Sequence, residues 1–513
     1  MKNITKFFKN ALTLTLTSLF MRGVGVAFNV YISNKVGAEA IGLYSLISSV
    51  YGFALTLATS GIALAVTRMV AEALGKENDR LVRASMKKCM AYALFFGTLS
   101  SVLLFSLSEV IGTSWLDDIR TVRPLRLMSL TLPLIALCSA MNGYFTAVRR
   151  VSKNAFSQLF EQAVKICVTV GLLTAILPDG IEYACIALVL GGAASELFSF
   201  AVMLIIYICD KRKYITDKGS SVSGSSVTKR LLKIALPVAF STYARSGLLT
   251  IEHALIPAGL RKNGSSREHS LAVYGTLTAM VMPVILFPSA LISSFAGMTI
   301  PELAEGMARG HKKHIKYICE RVFQLSLIFS IGVSGILICF SGELGQVIYS
   351  SDEASLYIKL VAPLIPVMYL DSTTDAMLKG LGEQFYSMNV NIIDALISVI
   401  LVYLLLPVYG INGYIFIIFL MEILNFGLSA SRLMSKTGLR PRLFKWVIKP
   451  LFCAVLSCTV SYLIFSYVPS HGAFALALHI FVCLMLYIIM LMITKTLDRE
   501  DSRWIASIFK KDQ

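Results

Sequence analysis

The sequence predicts an all-α polytopic membrane protein of about 14 transmembrane helices, built as two six-helix lobes plus two C-terminal helices. Three observations carry that prediction. Only 15% of the 513 residues are charged and 56% are hydrophobic, whereas a soluble chain carries about 25% charge. The apolar runs are long enough to cross a hydrocarbon core, which takes about 20 residues. The basic residues alternate along the chain as the positive-inside rule requires.

The runs can be taken in order. Span 1 (10–32) is apolar except for Arg22 near its middle, with Gly23, Gly25 and Asn29 beside it. Spans 2 (40–66) and 3 (88–111) follow, then span 4 (124–148) with Pro133 inside it. Span 5 (156–177) holds Glu161 and Lys165, and span 6 (183–209) holds Glu196. Span 7 (231–256) repeats the first anomaly, with Arg245 at its middle and Glu252 and His253 beyond. Span 8 (271–297) carries Pro283 and Pro288; span 9 (318–341) is mostly apolar. Span 10 (356–379) carries Pro363, Pro366, Asp371 and Asp375. Span 11 (387–407) holds Asn391 and Asp394, span 12 (411–431) holds Glu422, and spans 13 (446–468) and 14 (472–494) close the chain.

A net charge of +17 invites a nucleic-acid reading, but the placement of the charges excludes it. With the N-terminus inside, 36 of the 47 Lys and Arg fall in inner segments, 8 in outer segments and three within the membrane. Both termini are therefore expected in the cytoplasm. The basic loops face anionic lipid. Span 1 is read as a retained helix, because it is long, carries Arg22 and has no small-residue cleavage site. The ten cysteines are scattered, with no metal-ligand spacing, and read as small apolar residues.

The chain repeats itself weakly. Tyr44 aligns with Tyr274 and Glu72 with Glu305. Pro133 precedes Glu161 by 28 residues, and Pro366 precedes Asp394 by 28. Glu196 and Glu422 form another pair. Six spans per half bring the second half in with the orientation of the first, so the repeat is a parallel pseudo-twofold one. The expected division is an N-terminal lobe (1–209), a cytoplasmic linker (210–230) containing the run GSSVSGSS, a C-terminal lobe (231–434), and spans 13 and 14 with a tail (435–513).

Several stretches carry a family resemblance: SLFMRGVGVAFNVYISNKVGAEAIGLYSL (18–46), SGIALAVTRMVAEA (60–73), IPAGLRKNGSSREHSLAVYGTLTAMVMPVILFPSAL (256–291) and LKGLGEQ (378–384). The chain resembles the multidrug/oligosaccharidyl-lipid/polysaccharide (MOP) flippase superfamily, in its polysaccharide biosynthesis, stage V sporulation protein B type branch, related to the lipid II flippases. The resemblance implies two six-helix lobes forming a V around a central cavity. It also implies alternating access, with a lipid-linked sugar carried across the plasma membrane. Arginines of the first helix line the cavity in lipid II flippases, which carries over to Arg22; Arg245 follows from the internal repeat.

A charge at bilayer mid-depth costs roughly 2.5–3.5 kcal/mol, so it is expected only where it meets water or a partner. Arg22 and Arg245, with Asn29, Glu252 and His253, are the candidate substrate-binding residues. A guanidinium matches phosphate oxygens with two donors and keeps its charge when buried. The other reading is a structural salt bridge from these arginines to Glu161, Glu196 or Glu422. Asp394, Asn391 and Glu161 are coupling-ion candidates for Na⁺ or H⁺. Glu161 can instead pair with Lys165 one turn on. Lys165, Glu196, Asp371, Asp375 and Glu422 are gate or structural polar residues. His253 is the natural pH sensor.

There is no Walker loop, metal cluster or nucleophile triad, so neither an enzyme nor a resident cofactor is expected. The expected function is outward flipping of a lipid-linked oligosaccharide or peptidoglycan precursor for cell-wall, spore-cortex or polysaccharide synthesis. The partners are the lipid-linked sugar pyrophosphate, membrane lipids and, as candidates, wall-synthesis enzymes. A cation-coupled multidrug exporter and a non-transporting scaffold are the alternatives. An exporter of cationic drugs calls for an acidic cavity, and a scaffold needs no mid-membrane charge.

Overall fold

A computed structural model describes residues 2–176, 181–214, 224–439, 441–466 and 472–496. Most of the expected linker run and the tail beyond 496 lie outside them. The described residues are helical, with no strand among them. The chain order is α1 (Lys2–Thr59), α2 (Ile62–Gly75), α3 (Asp79–Val110), α4 (Val122–Ser129), α5 (Leu132–Ala147), α6 (Val151–Ile176), α7 (Ile181–Tyr214) and α8 (Gly224–Lys262). It continues with α9 (Arg267–Gly275), α10 (Met282–Leu286), α11 (Ser289–Ala308), α12 (Lys312–Cys339), α13 (Ser341–Tyr349) and α14 (Asp352–Val361). Then come α15 (Ile365–Gly380), α16 (Gln384–Thr437), α17 (Lys449–Ser466) and α18 (Ala473–Ile493).

Eleven helices among the described residues are long and apolar enough to span, or twelve if α4 and its neighbour α5, bent by 46°, form one span. The expected count of 14 is not reached, for a local reason. Two of the eleven are 56 and 54 residues long, about twice what a bilayer needs. Each contains a glycine outside helical geometry, Gly37 (φ 81°, ψ 170°) in α1 and Gly410 (φ 56°, ψ −141°) in α16. Glycine visits φ > 0 without steric cost, so the chain turns there between consecutive apolar runs.

The chain forms two compact units, and they are not the sequential halves of the repeat. One contains Arg22–Lys35 and the chain from Thr276 onward; the other contains Val36–Gly275. The changes of unit fall at the Gly37 break and at the π-helical turn Thr276–Val281.

In the first unit, Asn29 donates to the carbonyl of Ala279 at 2.6 Å, and Asn34 to that of Ile348 at 2.7 Å. The same unit docks the two C-terminal helices. Tyr487 of α18 donates to the Ile328 carbonyl at 2.7 Å, and Gly332 leaves room for its ring, since a Cβ there would lie 2.5 Å from Tyr487 Cε1. Phe323, Trp446, Cys453 and Leu491 extend this core. The ten cysteines are free thiols.

In the second unit, α8 runs alongside the latter part of α1. Tyr243 Oη donates to the Leu57 carbonyl at 3.1 Å, Ser246 to Thr56 Oγ1 at 3.1 Å, and Thr250 to the Ser49 carbonyl at 3.2 Å. Gly42 and Gly275 let α1 and α9 cross closely; a Cβ on Gly42 would collide with the Leu271 carbonyl. Arg230 pairs with Glu72 at one end. At the other, Arg261 meets Asp117 at 3.3 Å and Arg267 meets Asp118 at 3.3 Å.

Each unit also holds an ion-paired latch between a helix–helix turn and the end of a long helix. In the second unit, Arg150 and Lys153 bond to the buried carboxylate of Asp210, which also accepts from Tyr144 at 3.0 Å. In the first, Glu383, within the LKGLGEQ run, bonds to Arg432 at 2.7 Å and Lys436 at 2.7 Å. The register that aligns Pro133 with Pro366 aligns Arg150 with Glu383; the one that aligns Glu196 with Glu422 aligns Asp210 with Lys436.

Candidate functional site

Arg245 is aimed by the packing of its helix. Tyr243, Ser246, Gly247 and Thr250 form one stripe of α8 against α1, with Gly247 admitting the Phe53 ring at 3.3 Å from a would-be Cβ. At about 100° per residue, position 245 falls on the opposite face. Arg245 is exposed there, with no ion-pair partner among the described residues. Arg22 in α1 is likewise exposed and unpaired among the described residues. Seven residues is close to two turns, so Arg22 lies on the same face as Asn29. The alternative salt bridges from these arginines to Glu161, Glu196 or Glu422 are absent among the described residues.

The intramembrane carboxylates gather by unit. In the second, Glu161 of α6 accepts from Ser199 Oγ of α7 at 2.9 Å, and Ser199 also meets Ser157 at 3.3 Å. Glu161, Glu196 and Lys165 lie close enough for their charges to interact. Glu161 and Lys165 make no direct salt bridge among the described residues, although their charges interact; the carboxylate's close partner is Ser199. In the first unit, Glu422 faces the charges of Asp371 and Asp394. Asn425 Nδ2 donates to Asn391 Oδ1 at 3.3 Å, and Asn391 Nδ2 to the Ser387 carbonyl at 2.9 Å. Asp375 is engaged separately, by Ser387 and by Lys379 at 3.7 Å. No group of three metal-ligating side chains occurs among the described residues.

A family model described as polysaccharide biosynthesis protein matches residues 7–307, more than half of the chain. The chain belongs to the polysaccharide biosynthesis protein family. A MatE model matches residues 264–404. This polysaccharide biosynthesis family member is 28% identical over 417 residues to stage V sporulation protein B of Bacillus subtilis (strain 168), covering 79% of each chain. It is 24% identical over 426 residues to the lipid II flippase MurJ of the same organism, covering 77% of each. A solved lipid II flippase MurJ in an inward closed conformation has the same fold, with TM-score 0.70 at 15% identity over 98% of this chain and 99% of that one. The protein is a MOP-superfamily transporter.

Within this family member, the carboxylates matched across the repeat are grouped alike inside each unit: Glu161 near Glu196, and Asp394 near Glu422. His253 Nδ1 lies 2.7 Å from the hydroxyl of Tyr274, joining α8 to α9. Glu252 beside it is half-buried. Sequence reasoning missed Ser199 and Asn425. The signal was present: each lies three residues beyond the glutamate of its half, and each reaches the preceding long helix segment.

Proposed function

We propose that this transporter is an alternating-access flippase that moves a lipid-linked oligosaccharide or peptidoglycan precursor outward across the plasma membrane. The observation that carries the reading is the pair Arg22 and Arg245, two exposed guanidinium groups on apolar helices without an ion-pair partner among the described residues. Two such charges at mid-depth each cost roughly 2.5–3.5 kcal/mol, a cost offset for each when it meets an anionic group. The diphosphate of a lipid-linked sugar is that anion, held by forked hydrogen bonds. The likeness to a lipid II flippase supports the same substrate class. Both termini lie in the cytoplasm on this reading. Asp394 and Asn391 take up the coupling Na⁺ or H⁺, because a ligand can drive the cycle only through differential affinity for its states.

The test is rescue of a bacterial strain depleted of its lipid II flippase. Growth with the wild-type gene, and none with Arg22→Ala or Arg245→Ala at equal protein levels, is expected. Export of cationic drugs without rescue would replace this reading by the exporter one.

A further inference from the structure

A cavity in the second unit, lined by neither mid-helix arginine, has no role in that proposal. It forms where α3 gives way to a π-helical turn, Ile111–Trp115, followed by a short 3₁₀ turn, Ile119–Thr121, and α4. Gly112 makes the fold-back tight, since a Cβ there would lie 2.6 Å from Val122 Cγ2. Asp118 caps the 3₁₀ turn by accepting from the Arg120 amide at 3.0 Å. The cavity holds about 380 Å³ and is lined by Glu109, Thr113, Ile119, Val122 and three arginines, Arg120, Arg123 and Arg126. That is within the range of about 300–1,000 Å³ typical of small-molecule sites.

The three guanidinium groups are not equivalent. Arg120 is held by Asp118 at 2.9 Å and Glu39 at 3.0 Å, so its charge is largely spent. Arg126 bonds to Ser108 Oγ at 3.0 Å and to Glu109 at 3.0 Å, but Glu109 is 69% exposed. An exposed pair of that kind contributes about 0–1 kcal/mol and can yield to a better anion. Arg123, one turn before Arg126, is exposed on the same side of α4. The surroundings are apolar: Ile119 is 73% exposed, Leu130 62% and Val110 58%. Trp115 lies in the adjoining turn, and tryptophan favours the membrane–water interface. A basic cavity set in an apolar surround at the end of a spanning helix fits a phosphate that carries acyl chains. Thr113 and Glu109 can bond a headgroup hydroxyl.

We infer that this cavity binds the phosphate of a resident anionic phospholipid, with Arg123 and Arg126 as its ligands. Under the proposed topology that lipid sits in the outer leaflet. The test is native mass spectrometry of the purified full chain with phosphatidylglycerol or phosphatidylcholine, comparing wild type with the Arg123→Ala/Arg126→Ala double variant. The expected result is phosphatidylglycerol retained by wild type, about tenfold weaker retention by the variant, and equal, weak retention of phosphatidylcholine by both. The Arg123→Lys/Arg126→Lys variant should retain intermediate binding, and unchanged thermal unfolding shows that the variants fold. Equal phosphatidylglycerol retention by wild type and the alanine variant overturns the site. Displacement of phosphatidylglycerol by an equimolar polyprenyl diphosphate overturns the resident-lipid assignment, because the cavity would then prefer the transported class. Failure of the rescue experiment above leaves this inference standing, since no residue is shared.

Discussion

Arg22 and Arg245 concentrate the functional argument in two side chains. Charge-assisted hydrogen bonds are worth about 1.5–3 kcal/mol each, so loss of either guanidinium should lower flux roughly tenfold or more. We expect Arg22→Ala and Arg245→Ala to accumulate normally and fail in a reconstituted flipping assay, with lysine at either position restoring only part of the rate. Asp394→Asn should keep substrate binding yet remove the dependence of flux on the coupling ion; an unchanged Na⁺ and pH response would make Asp394 structural. The arginines were legible from sequence because a charge inside an apolar run is a one-dimensional signal. Their surroundings were not. Whether Arg245 faces away from α1 depends on the Tyr243–Thr250 stripe finding carbonyls of another segment. The i,i+4 spacing brings Lys165 near enough for its charge to act on Glu161, whereas the direct hydrogen bond comes from Ser199 on a different helix, which spacing along one helix cannot reveal.

At the level of elements, close crossings and latches give separable effects. Gly42→Ala should destabilise the protein by at least about 1–3 kcal/mol, the usual range for overpacking, because the new methyl meets a carbonyl that cannot rotate away. Gly25→Ala is the control: nothing lies within 4 Å of its Cβ, so thermal unfolding should be unchanged or slightly later. The turn latch responds to pH. Lys436 and then Arg432 hold the Glu383 carboxyl below the ordinary glutamate range. Its stabilisation is therefore fully present above the unfolded value of about 4.3 and is lost as pH falls through the lower folded value. Glu383→Gln should cost at most about 1 kcal/mol at neutral pH, and the gap between the two melting curves should close below about pH 4. The LKGLGEQ run was legible as a family mark, whereas its partners on α16 were not, lying 49 or more residues away.

For the whole molecule, the count of 14 spans was not reached among the described residues, whereas the helical class and the abundance of apolar spans followed from composition and run length, both additive properties of the sequence. The division into units did not, because it depends on which neighbours α8 and the early part of α1 find, and no periodicity encodes that. Topology can be measured directly. Cysteines placed at His269 and Gly342 should label from outside intact cells, and those at Ser152 and Lys312 only after permeabilisation; the reverse pattern would invert the proposed orientation. The two latches bear on how such a duplicated chain assembles without error. Arg150 answers to Asp210 in one half, and Glu383 to Lys436 in the other, with the signs exchanged. A hairpin that docked on the wrong half's long helix would set Arg150 against Lys436 or Glu383 against Asp210, and like charges would drive it off. Sign inversion thus lets each half recognise its own parts during synthesis, and it disfavours exchange of hairpins between neighbouring copies in a crowded membrane.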